Sequence, residues 1–146
     1  RGRRFEFKGL SIIPGKNRLD WFSLSFTNST PPASRTGDAN AIAPGRYLLA
    51  ATGLNHNRNA LVRAIGGDRI AVSKFYGGSN GEAPILAEGI SADLVLKGVA
   101  PARVQAFALD GNGERVQPVV IAAEDDFALI SINPEYKTLW YEVVVQ

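Results

Sequence analysis

The chain has 146 residues, 45% hydrophobic and 21% charged, with a net charge of +2, one histidine and no cysteine or methionine. This composition suits a soluble globular domain with its own core; it excludes a disordered chain, disulfides, thiolate catalysis, Cys-based zinc sites and histidine-rich metal centres. No apolar run reaches the ~18 residues that span a bilayer, and no basic stripe interleaved with stacking aromatics is present, so neither a membrane nor a nucleic-acid partner is expected.

The chain opens at Arg1 without a methionine, which reads as a single domain over residues 1–146 excised from a longer multidomain protein. Arg1, Arg3, Arg4 and Lys8 crowd this end, either as a solvated terminus or as a patch for an anionic polymer. Strands are expected over about 4–8, 20–27, 46–53, 60–65, 69–75, 92–98, 103–109, 116–122, 127–132 and 138–145, from period-two alternation bounded by turn residues. In "RRFEFKGL" the alternation turns Phe5 and Phe7 to a core. In "DWFSLSFTN" it turns Phe22, Leu24 and Phe26 inward and Trp21 to the other face.

Residues 28–45, "NSTPPASRTGDANAIAPG", form the longest polar connection. "AIGGDRIAV" reads as a tight hairpin around Gly66-Gly67-Asp68, and "ALDGNGERVQPV" as a second hairpin. Tyr47 and Trp140, the latter in the apolar run "LWYEVVV", are assigned to packing. Helical period is nearly absent. The expected fold is all-β, an antiparallel β-sandwich or jelly roll.

Catalysis finds no support. "GGSNG" has the spacing of a nucleophile elbow, but that motif needs a helix after the serine, and "EAPILAEGIS" does not make one. His56 is the only imidazole. No spacing selects a carboxylate pair of the kind glycosidases use. No cofactor is required; calcium on the oxygen-rich "DGNGE" (Asp110, Asn112, Glu114) or "EDD" (Glu124 to Asp126) is left open beside ordinary turn chemistry.

"PGRYLLAATG", "GEAPILAEGISADLVL", "VQAFALDGNGERV" and "PEYKTLWYEVVV" occur in that order over residues 44–145. This series resembles the C-terminal β-sandwich domain of large secreted (β/α)-barrel glycoside hydrolases, agarase-like enzymes among them. The spacing Gly81, Pro84, Leu86, Glu88, Gly89, Ala92 is its most specific piece. Where that family carries a Glu-Asn-Thr-Gly-like turn and tryptophans, this chain has "NHNRN" and "KFYGGSN", and no residue role is carried over there. The resemblance implies a secreted, non-enzymatic ancillary domain, monomeric, attached to the catalytic domain of its parent chain.

Sugars are held by aromatic faces stacked on ring C–H groups and by planar polar side chains that bridge hydroxyls. Asn55, His56, Asn57, Arg58 and Asn59 concentrate such groups, and "SKFYGGSNG" adds Lys74, Phe75, Tyr76 and Asn80. If the 66–68 turn pairs its flanking strands, residues near 59 lie opposite residues near 75, with Arg63 alongside. The two loops would then share one polar-aromatic patch, with Trp21 as a separate stacking surface; the alternative is that Asn and Gly only satisfy turn geometry. The expected function is a carbohydrate-binding module that tethers a glycoside hydrolase to a polysaccharide, an algal galactan such as agarose or porphyran. The alternative function is a structural sandwich that packs on a catalytic barrel and binds nothing itself.

Overall fold

The computed structural model describes residues 4–18, 21–29, 42–61, 63–67, 69–71, 78–124 and 127–146. Among these, the strands are β1 (Phe5–Phe7), β2 (Leu10–Pro14), β3 (Ser23–Asn28), β4 (Gly45–Thr52), β5 (Asn55–Arg58), β6 (Arg63–Ala64), β7 (Ile70–Ala71), β8 (Glu82–Ala87), β9 (Ala92–Lys97), β10 (Val104–Leu109), β11 (Arg115–Pro118), β12 (Ile121–Glu124), β13 (Phe127–Ile132) and β14 (Trp140–Val145). The chain divides into two compact units, residues 1–52 with 89–146, and residues 53–88.

The first unit is a sandwich of two five-stranded antiparallel sheets, β1-β2-β9-β13-β12 and β11-β10-β14-β4-β3. The all-β sandwich expected from the sequence is what the chain forms. Alternation builds its core: Ala128, Ile130 and Ile132 of β13 are buried, as are Leu94 and Leu96 of β9, Leu49 of β4 and Val143 of β14. Phe22, Leu24 and Phe26 pack against this cluster as expected. Tyr47 is buried, stacks on Phe26, and donates its hydroxyl to the Ala43 carbonyl.

Two apolar assignments need correction. Phe5 and Phe7 are 52% and 70% exposed. Their register pairs them with Ile12 and Leu10, core-side positions of β2, so the phase holds; but β1 is the edge strand of its sheet, where facing inward does not ensure cover. Trp140 is 43% exposed, because Tyr141 takes the inward position and alternation turns the indole out.

Strand boundaries also differ. The expected 116–122 strand is two, and they lie in different sheets: Pro118 ends β11, and β12 begins at Ile121. β2, β5 and β8 were not expected. The 64–72 hairpin forms as anticipated, with Arg63 opposite Ala71 and with Gly66 and Gly67 at positive φ. Most of the long polar connection, residues 30–41, lies outside the described residues.

The second unit contains the β5–β8 ladder and the β6–β7 hairpin. The ladder is extended by Gly53 N–H to the Glu88 carbonyl and Glu88 N–H to the Leu54 carbonyl.

Candidate functional site

Four residues of the polar pentad, Asn55 to Arg58, form strand β5, and Asn59 turns out of it. β5 pairs Asn55 with Ala87, His56 with Leu86 and Asn57 with Ile85; a bulge then sets Arg58 opposite Glu82. Its side chains serve the unit's own turns. Asn57 Nδ2 donates to the Asn80 carbonyl at 2.8 Å, and Asn59, at φ 59, donates its amide to Glu82 at 2.9 Å. Arg58 meets the same Glu82 carboxylate at 3.3 Å, and His56 Nδ1 lies 2.8 Å from the Asn57 carbonyl. Gly81 closes this corner: a Cβ there would collide with the Arg58 carbonyl oxygen.

The expected pairing of residue 59 with residue 75 falls outside the described residues. Arg63 pairs with Ala71, but Leu61 pairs with Ser79, so two residues on one side are matched by eight on the other. Asn55 to Arg58 pair with β8. Lys74, Phe75 and Tyr76 lie outside the described residues. Asn80 is exposed beside Asn57, and Arg63 is exposed on β6. Ser79 accepts from the Gly81 N–H in a turn that leads into strand β8, so the helix a nucleophile elbow needs does not follow it.

The oxygen-rich turns behave as turns where they are described. The Asp110 carboxylate accepts from the backbone N–H groups of Asn112 and Glu114, and these bonds, the one from Glu114 foremost, hold its pKa below the usual value. Asp125 and Asp126 lie outside the described residues, as does the side chain of Glu124. At the basic chain start, Arg4 pairs with Glu6, which also holds Lys97, and the group covers the buried Ser11.

A different surface emerges on the second sheet. Glu142 pairs across the strands with Phe107 and Leu48, and Trp140 with Ala50, which in turn pairs with Ser25. Directly paired residues share a face, so Trp140, Glu142, Leu48, Phe107, Ser25 and Thr27 all lie on the side away from the core. Trp21, 50% exposed, leads into β3 in phase with Ser23 and Ser25, while its neighbour Phe22 packs inward. The residues between the two indoles are Ala50, Thr52, Ser23 and Ser25, none larger than threonine. From strand spacing and rise the tryptophans are on the order of 15 Å apart, two strands across and four residues along. The Thr138 hydroxyl fixes the start of β14 by accepting from Trp140 N–H at 3.1 Å and donating to the Leu109 carbonyl.

Below Trp140 on the same face stands a charged cluster. Glu142 binds Arg46 through one carboxylate oxygen and Arg115 through the other, at 2.5 Å from the Arg115 Nε. Arg115 reaches it because a bulge at Ala108/Leu109 re-aims its side chain, which lies over the Phe107 ring at 4.0 Å from the centroid. Burial pushes the Glu142 pKa up, but hydrogen bonds and charge from Arg115 and Arg46 outweigh it and leave the group below its ordinary value.

Trp21 was accessible to sequence reasoning through alternation. Trp140 was missed because an apolar run hides its own phase, although counting back from Tyr141 gives it. The Arg46–Glu142–Arg115 cluster depends on a bulge and two cross-strand registers and had no local signal. No family model, curated protein or solved structure matches this chain.

Proposed function

We propose that the chain is a non-catalytic carbohydrate-binding module, secreted as part of a glycoside hydrolase, that tethers its parent enzyme to a polysaccharide such as the algal galactans agarose and porphyran. The observation that carries this reading is the solvent face of the β11-β10-β14-β4-β3 sheet, where Trp21 and Trp140 stand exposed with only small side chains between them. Indole faces match the apolar C–H faces of pyranose rings. Two of them on one sheet, spaced along a diagonal, suit an extended oligosaccharide better than a single small molecule. Tethering raises the local substrate concentration at the catalytic domain without any chemistry here. The pentad supports the reading less, since Asn57, Arg58 and Asn59 already bond within their own unit.

A second reading, a structural sandwich that packs on a catalytic barrel, draws on the exposed Phe5 and Phe7 at the β1 edge. Affinity electrophoresis separates the two. Gels containing agarose or porphyran are expected to retard the chain, and Trp140→Ala and Trp21→Ala each to weaken retardation by about tenfold in affinity, one stacked ring's worth. Unaltered mobility of the wild-type chain in both gels leaves the structural reading.

A further inference from the structure

The five strands of the second sheet, "SLSFTN", "GRYLLAAT", "VQAFAL", "RVQP" and "WYEVVV", contain three charged residues between them, and all three meet in one cluster. Glu142 has a side chain only 11% exposed, whereas Arg115 and Arg46 are 44% and 64% exposed. Solvent therefore meets guanidinium edges, with the carboxylate held beneath them. Such an arrangement is preorganised: Phe107 and Glu142 already fix the Arg115 plane, so a ligand need not order that long side chain. Arg115 gives Glu142 only its Nε, and a guanidinium has five N–H donors.

The position on the sheet matters as much as the charge. Glu142 follows Trp140 by two residues on the same face, which is about 7 Å along the strand. A sugar chain stacked on the indole passes over or beside the arginines. A neutral galactan offers them hydroxyls only; an oxyanion offers charge-assisted hydrogen bonds, shorter and roughly twice as strong. We infer that the polysaccharide taken by this face carries oxyanion substituents, sulfate ester or carboxylate, recognised by Arg115 with Arg46 at the lower end of the indole platform. This inference rests on the sugar-binding reading above.

The experiment is titration calorimetry of the full 146-residue chain with agarose oligosaccharides (neutral), carrageenan oligosaccharides (sulfated) and alginate oligosaccharides (uronate). The expected result is affinity for at least one charged series about tenfold above agarose at low salt, falling as salt is added. Preference for carrageenan identifies a sulfate, and preference for alginate a carboxylate. Arg115→Gln is expected to remove the preference while leaving agarose binding in place, and Arg115→Lys, which keeps the charge, to retain part of it. Arg46→Gln is a second probe if Arg115→Gln lowers the melting temperature sharply. Equal affinity for all three series, or a preference untouched by both arginine variants, overturns the inference and leaves the sugar-binding reading standing. Absence of binding to all three, or binding unchanged by Trp140→Ala, removes that reading and this one with it.

Discussion

Burial alone would make Glu142 harder to ionise, yet two guanidiniums reverse the balance and hold its carboxyl below the ordinary 4.5. A carboxylate whose folded pKa is depressed stabilises the fold above its unfolded value, and that contribution disappears as pH falls through the folded one. The Glu142→Gln variant keeps the shape and loses the charge. At neutral pH it is expected to be less stable by on the order of 1–2 kcal/mol, since the arginines it leaves are partly solvated. Chemical denaturation of both proteins from neutral to acid pH should show the gap closing below the ordinary carboxylate value. Glu6, lowered chiefly by the hydrogen bond from Lys97, and Asp110, lowered by backbone N–H groups, titrate alike in both proteins and drop out of the difference. A gap that stays constant with pH would mean that packing, and not charge, is what Glu142 provides.

At the level of elements, period-two alternation fixes which way a side chain points but not whether anything lies over it. Phe7 of β1 and Leu94 of β9 both point to the core side of one sheet, but Phe7 is 70% exposed at the edge and Leu94 is fully buried. Urea denaturation should separate them clearly: Leu94→Ala is expected to cost about 2–5 kcal/mol, Phe7→Ala under about 1 kcal/mol. Similar losses would show that Phe7 is covered after all. The same distinction explains what the sequence revealed. The core strands β4, β10 and β13 alternate against buried neighbours and were legible, as was β9, although Val95 is buried there between Leu94 and Leu96. β8, "EAPILA", is exposed along its whole length, so no burial pattern marks it. β5 consists of the polar residues Asn55, His56, Asn57 and Arg58, which resemble a loop until β8 pairs with them. For the site, Trp21 could be read from its phase against Phe22. The Arg115 contact could not, because it needs the bulge in β11 and the long-range pairing of β10 with β14.

The division of the whole chain puts the two candidate sugar surfaces in different units. The pentad and Asn80 belong to the 53–88 unit, and both tryptophans and the Arg46–Glu142–Arg115 cluster belong to the sandwich. The smaller unit leaves and rejoins the sandwich sequence at neighbouring points: Gly53 N–H bonds the Glu88 carbonyl at 2.8 Å. Its ends are thus close enough for a short flexible linker to replace it, and closing a short loop adds little entropic cost. Its ladder of two strands, with Ile85 at 73% exposure, buries little apolar surface, whereas the sandwich core runs through β4, β9, β10, β13 and β14. A chain in which a Gly-Ser linker joins Thr52 to Gly89 is therefore expected to fold cooperatively and to melt within about 5 °C of the parent, a difference near 1 kcal/mol. If the sheet face is the binding surface, this shortened chain should be retarded in polysaccharide gels as strongly as the parent. A folded deletion that has lost retardation would return the site to the 53–88 unit, leaving the exposed tryptophans to packing against another domain.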